Sequence, residues 1–354
     1  MSNQKVVTVI LLGVALSVLV GWGTPPIEMK LNLAPKSETV YKVVTGFSGN
    51  VNFIQPSINK TKESHKSGTL GMVFKQRVES VDQQGNAVVN ITIKQLSYFS
   101  ETLKGVVADF NSLREKDKSD PLMKLIGASY KIRISPRGTV KVLDASAARS
   151  ILKEGSAAAV ATGLFSDEEI ARRHQVMALF DADKADKYVS EKDRQKKIKA
   201  DSSRKKSDSK TSKAVKKGLC EKGNQWSSLA ASPTGMIMPK SFDKAYTLTD
   251  LKKQDNQMIA VIDMNAVPSS KRADKQEKES TIGASASKFL IDDKDNYTGK
   301  MIFNLTTGEI QSYQELLVEK VAVVPREEQK SDSDKDSDQV AMGFTYLYSI
   351  KKVN

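Results

Sequence analysis

The chain has one cysteine, Cys220, among 354 residues. No intramolecular disulfide can form, so a stable fold must rest on its core. Histidine is nearly as scarce: His65 lies in a polar stretch and His174 follows Arg172-Arg173. No Ser-His-Asp, Cys-His or multi-His metal arrangement can be assembled from such spacing, and each histidine is expected at the surface. A Walker loop and a G-x-G-x-x-G run are both missing. Asp332, Asp334, Asp336 and Asp338 begin like a calcium loop, but the sixth and twelfth positions, which want Gly and Glu, hold Ser337 and Gly343. Asp181-Ala182-Asp183 fails in the same way. These absences leave no metal, cofactor or catalytic residue to nominate. The expectation is a non-enzymatic protein, with a hydrolase built on spatially paired carboxylates as the residual catalytic class.

Long apolar runs are also rare. The one that stands out is Val6–Val20, which follows Lys5 and carries no charge. At 15 residues it is short of the ~20 a membrane-spanning helix needs. It fits the apolar region of a signal peptide, with Gly21-Trp22-Gly23 as a small-x-small cleavage site. Leu19-Val20-Gly21-Trp22 has the form of a lipoprotein box in which Trp22 stands where the acylated cysteine would be. Residues 1–23 are therefore expected to direct export to the periplasm or beyond, with an uncleaved N-terminal anchor as the alternative.

What the chain does have is strand grammar. The stretch Val73–Phe99 reads as two long strands around a polar turn. Val89, Ile91 and Ile93 alternate with Asn90, Thr92 and Lys94, the pattern of a half-buried strand. Asp82-Gln83-Gln84-Gly85-Asn86 supplies the turn, where Gly85 and Asn86 reach positive φ cheaply. Beyond Lys94 the apolar parity slips to Leu96 and Tyr98, which predicts either a bulge near Lys94–Gln95 or a strand buried on both faces there. Other strands are expected at Glu28–Leu33, Thr39–Phe53 and Lys104–Phe110. Hairpins are expected at Tyr130–Leu143 around Gly138, at Tyr246–Met264 around Asp255-Asn256, and at Lys300–Val324 around Gly308. Ser57–Ser67 is polar and reads as a loop, and Pro121–Ile126 reads as a short helix capped by Asp120. The last strand is the cleanest: Val340, Met342, Phe344, Tyr346, Tyr348 and Ile350 share one parity.

Between the strand-rich halves the pattern changes. Ala145–Ala161 is alanine-rich and helix-prone, and Ser166-Asp167-Glu168-Glu169 starts a further helix with Ile170, Met177 and Phe180 on one face. From Lys187 to Lys222 there are 14 Lys+Arg against 5 Asp+Glu, so this stretch carries +9 of the chain's +13. It is read as a disordered basic linker that could touch an anionic envelope surface. It has no internal aromatic between Tyr188 and Trp226 on which bases would stack, which argues against nucleic acid. A shift of 170 residues superposes Val78 on Leu248, Val89 on Ile259 and Gly138 on Gly308, a possible duplication.

The domain plan that follows is a signal peptide (1–23), an N-terminal β-unit (24–143), a helical segment (144–186), the basic linker (187–222) and a C-terminal β-unit (223–354) joining the same sheet. The fold class is α+β and β-rich: a large curled antiparallel sheet, half-barrel-like, with a helical insertion.

Leu31–Tyr41, Val81–Ile93, Leu125–Val140, Trp226 and Tyr297–Ile310 together resemble an uncharacterised family of bacterial exported proteins and lipoproteins. The matches cover about a third of the chain and are patterns of strands and turns, and the family supplies no catalytic residues to carry over. The strand order is also similar to lipoprotein-carrier half-barrels, in which a curled sheet holds lipid under short helices. That resemblance implies an envelope protein holding a lipid or other apolar ligand in the sheet's concavity, lined by Phe344, Tyr346 and Tyr348. The alternative is a structural or protein-interaction module of the envelope in which those three residues are simply core.

Overall fold

In a computed structural model of the chain, the described residues are 29–55, 58–176, 179, 222–233, 236, 240–269, 289–325 and 339–353. The expected signal peptide, Met177, Phe180, Cys220, the aspartates from 332 to 338 and all of the basic linker but Lys222 lie outside them.

In chain order the elements are β1 (Glu38–Gln55), β2 (Lys60–Val81), β3 (Ala87–Thr102), β4 (Gly105–Asn111), β5 (Ser129–Ile134), β6 (Val140–Asp144), α1 (Ser146–Ser150), α2 (Gly155–Leu164), α3 (Asp167–His174), β7 (Gln225–Ala231), β8 (Ser241–Gln254), β9 (Gln257–Ser269), β10 (Phe289–Asn304), β11 (Glu309–Pro325) and β12 (Gln339–Val353). The strands form one antiparallel sheet in the order β6-β5-β3-β2-β1-β12-β11-β10-β9-β8-β7, with β4 added to β3 beside this path. Among the described residues the sheet is not closed: β6 and β7 end the order. No described helix is long and apolar enough to cross a membrane.

The turn at Asp82–Asn86 is fixed by the Asp82 carboxylate, which accepts from the amides of Gln84 and Asn86, each at 2.9 Å. The slip expected near Lys94 is present: Val73 faces Gln95 and Phe74 faces Ile93, leaving Lys94 as the extra residue. The bulge lets Ile93 and Leu96 both reach the buried face.

The 170-residue offset reappears in the backbone. The β2–β3 ladder breaks between Val78 and Ser80, and the β8–β9 ladder breaks between Leu248 and Asp250. At each break an incoming segment docks the same way. Lys36 N donates to Val78 O and Val78 N to Ser37 O; Gly223 N donates to Leu248 O and Leu248 N to Asn224 O. Both docking residues, Lys36 and Gly223, have positive φ. The series β1-β2-β3-β5-β6 and β7-β8-β9-β10-β11 then follow the same order across the sheet, with β12 between β1 and β11.

Residues 29–34 form no strand, contrary to the pattern of Glu28–Leu33. They cross one end of the sheet instead. Leu31 N donates to Pro136 O at 2.7 Å in the β5–β6 turn, and Asn32 N donates to Gly308 O at 2.9 Å in the β10–β11 turn. Between β5 and β11 lie five strand spacings, about 24 Å in a flat sheet. Two consecutive amides reach both turns only because the sheet bends toward this segment.

Three further differences have local causes. β2 begins at Lys60, inside the polar stretch read as a loop, because its backbone pairs with β1 out to Gln55. The alanine-rich stretch divides into α1 and α2, since the helix stops at Ser150 and the backbone is extended at Glu154 before α2 begins. Pro121–Leu125 is a 3-10 turn, although Asp120 caps it as expected, accepting from Leu122 N at 2.8 Å.

Candidate functional site

The side chains on one face of the sheet converge, and this face carries both the core and two polar groupings. In the C-terminal half, Lys244 on β8 meets Glu315 on β11 at 2.7 and 2.8 Å, both buried. Tyr297 OH donates to Glu315 Oε2 at 2.5 Å, Tyr313 OH donates to Oε1, and the Lys244 ammonium lies 4.7 Å from the Tyr297 ring centroid. Burial alone would raise the Glu315 carboxyl; the Lys244 charge and the donated hydrogen bonds outweigh it and hold the group below the ordinary carboxylate range. Tyr246 stacks on Trp226 at 5.8 Å and shares a hydrogen bond with Ser228. Nearer β8's start, Lys240 pairs with Asp295 at 2.7 Å and with Glu319 at 3.2 Å. This half of the face is therefore filled by ion pairs and aromatic rings.

The N-terminal half differs. Between β1, β2, β12 and the helices runs a cleft of about 470 Å³, lined among others by Phe47, Leu70, Tyr98, Leu164, Arg172 and Tyr346. Its floor is kept low by glycine. Phe47 faces Gly68 across the β1–β2 ladder, and a Cβ on Gly68 would come within 2.7 Å of that ring. A Cβ on Gly49, by contrast, would make only ordinary contact with Phe344, at 3.8 Å. Charge sits at two points of the lining. Lys66 lies 5.8 Å from the Phe47 ring centroid. Arg172 donates to Tyr346 OH at 3.0 Å and pairs with Glu169, while its Nε is buried with no hydrogen-bond partner among the described residues.

α3 delivers Arg172 to this place. Ser166 caps the helix by accepting from Glu169 N, Asp167, Glu168 and Glu169 occupy its first turn, and Arg172, Arg173 and His174 its last, each charge matched to the helix dipole. Two buried contacts pin the last turn. Arg173 donates to Leu164 O at 2.8 Å, and Tyr348 OH donates to Arg173 O at 2.9 Å.

The three residues singled out in the sequence have separate surroundings. All are buried on the converging face. Tyr346 lines the cleft, and burial pushes its hydroxyl up to about 12, with Arg172 opposing. Phe344 packs beneath Gly49, and Tyr348 meets the Tyr313 ring edge-on at 5.9 Å. His174 corrects the surface expectation. It is buried, its Nε2 hydrogen-bonds Tyr130 OH at 2.7 Å, and its ring meets Phe74 edge-on at 4.7 Å. His65 is half-buried and lies 3.4 Å from Glu101. Among the described residues no group of three or more His, Cys, Asp or Glu side chains is placed to hold a metal ion.

No family model matches the chain, and no curated protein sequence matches it significantly. Solved structures give low-scoring similarities. Lipovitellin, from a structure titled for lipid–protein interactions, aligns with 91% of this chain at 8% identity and a TM-score of 0.36, and the chain spans only 26% of lipovitellin's length. A DUF1329 family protein from Desulfovibrio piger aligns over 86% of this chain and 84% of its own, at 7% identity and a TM-score of 0.16. The transport unit of the autotransporter AIDA-I from Escherichia coli aligns over 92% and 93%, at 7% identity and a TM-score of 0.14.

The interior charges had a sequence signal. Lys244 stands at the parity of Phe242, Tyr246 and Leu248, and Glu315 at that of Tyr313 and Leu317. Opposite charges on the apolar parity of two strands mark a buried pair.

Proposed function

We propose that the chain is a non-enzymatic, exported envelope protein whose curled, half-barrel-like sheet holds an amphipathic ligand, an acyl chain with an anionic end, under α2 and α3. The observation that carries this reading is the cleft between β1, β2, β12 and α3. Its 470 Å³ falls within the range of small-ligand sites. Apolar side chains dominate its walls, and Arg172 and Lys66 supply positive charge at separate points of the rim. Glu169, which also lines the cleft, already pairs with the Arg172 guanidinium, and the buried Nε is the donor left for a carboxylate or phosphate. The uncharged run Val6–Val20 supports export, and the basic stretch 187–222 supports contact with an anionic envelope surface.

The competing reading is a structural or protein-interaction module with a filled core. The C-terminal half favours it, since Lys244, Glu315 and three tyrosines occupy the face there. The ligand reading is accordingly confined to the N-terminal half.

Native mass spectrometry of protein purified without detergent tests the proposal. The expected spectrum contains an adduct with the mass of an acyl lipid, or acquires one on adding a C16 fatty acid. Bare protein under both conditions contradicts it.

A further inference from the structure

The two ends of the sheet are unlike. One is crossed by residues 29–34, which hydrogen-bond to the β5–β6 and β10–β11 turns. At the other end the β1–β2 and β3–β4 hairpins project, and three of the four most exposed large apolar side chains of the described residues gather at the β3–β4 tip. Leu103 is 60% exposed, Val106 61% and Val107 67%, while the fourth, Leu113, follows the far end of β4. Ile58, on the adjacent β1–β2 connection, is 54% exposed.

The local structure holds these groups outward. Leu103 and Lys104 form the two-residue β3–β4 turn, a position that polar turn formers or glycine normally take. Glu101 pairs with Val106 and Ser100 with Ala108, so Val107 is an extra residue in the ladder. This bulge leaves both neighbouring valines in solvent, where an unbroken strand would turn one of them to the other face. The tip is anchored, since Leu103 N donates to His65 O at 3.1 Å.

Charge surrounds the apolar tip. Lys66 and Lys104 are exposed beside it, and Lys60 and Lys62 are exposed farther out on the projecting β1–β2 hairpin. Of the nearby acids, Glu101 is engaged by Ser67 and His65, and Asp109 by Arg114. Glu63 remains as an exposed acid within the lysine run. A small apolar wedge ringed by lysines matches an anionic lipid surface, with aliphatic side chains entering the acyl boundary and ammonium groups meeting the headgroups.

We infer that the β3–β4 tip, Leu103–Val107, with its ring of lysines is a docking element for anionic lipid membranes. The inference goes beyond the cleft: vesicle attachment is read without any ligand in the protein, and cleft occupancy is read without vesicles. Tyr98 lines the cleft from β3, which carries the tip, and Lys66 lines it from β2 opposite Thr102, so a docked tip places the cleft's lysine rim at the lipid surface.

The test is flotation of the full chain with vesicles of phosphatidylcholine alone or with 30% phosphatidylglycerol, using roughly equal protein and a range of salt. Wild type is expected to float with the anionic vesicles and to lose most binding at high salt. Leu103→Ser/Val106→Ser/Val107→Ser should keep the wild-type melting temperature and lower the bound fraction at least tenfold. Absence of wild-type binding overturns the inference. So does unchanged binding by the triple variant, which assigns attachment to another part such as the basic stretch 187–222. A wild-type dimer in solution that the triple variant dissolves also overturns it, since the patch would then be covered by a second copy.

Discussion

Lys244 and Glu315 form a buried ion pair at 2.7 Å although two strands separate β8 from β11. In a flat sheet the two strands would be about 14 Å apart. The pair therefore forms only in the bent sheet, over the small residue Ala266, which faces Lys244 on β9. Glu315→Gln leaves the Lys244 ammonium without a countercharge, and urea denaturation should show a loss of about 3–5 kcal/mol. Lys244→Met/Glu315→Gln removes both charges and keeps an acceptor for Tyr297 and Tyr313. It should recover most of that loss; additive losses in the double variant would show that the two residues do not act as a pair.

Acid should weaken the fold through His174. Burial, reinforced by the neighbouring Arg173 charge, lowers its imidazole to about 3. Below an ordinary histidine value of 6.5, the unfolded chain takes up a proton that the native site refuses. The stabilising effect is complete above pH 6.5 and is lost as pH falls toward 3, by up to about 1.4 kcal/mol per pH unit. Between pH 6.5 and 4.5 the carboxylates held low in the native state have yet to contribute. Denaturation midpoints of wild type should fall across that window, and those of His174→Phe, which keeps a ring beside Phe74, should be nearly flat.

Ligand charge should be read by Arg172. Arg172→Gln keeps a donor for Tyr346 and removes the positive charge. Competition titrations should show about a tenfold or greater loss for a C16 fatty acid and little change for the corresponding alcohol. Equal losses for both would assign Arg172 to packing alone.

Much of the sheet was legible because its local rules are strict. Asp82-x-x-Gly85-Asn86 marked the turn, and of the two ways to absorb the parity slip after Lys94, a bulge or burial on both faces, the chain uses the bulge. The 170-residue offset read from Val78 and Leu248 marks two ladder breaks of the same kind. What sequence left hidden depends on long-range contact. His174 looked exposed because arginines precede it, yet α3's last turn packs into the face between Phe74 and Tyr130. The polar start of β2 carried no apolar alternation, since its backbone pairing with β1 needs none. Of the aromatic row on β12, Tyr346 is part of the cleft lining, and parity alone could not separate it from Phe344 and Tyr348. That distinction is set by where α3 leaves space.

The cleft itself is tested most directly at Gly49. Its side of β1 faces the cleft, and an added Cβ meets nothing closer than 3.8 Å. Gly49→Leu should therefore fill the space without disturbing the strand, and fold stability should hold or rise because glycine is unfavourable in a strand. Titration with a fluorescent C16–C18 fatty acid is the measurement. Wild type should show saturable one-to-one binding, and Gly49→Leu an affinity at least tenfold weaker with a melting temperature no lower than wild type. Equal affinity in the two proteins, or no saturable binding by wild type, would contradict the ligand reading.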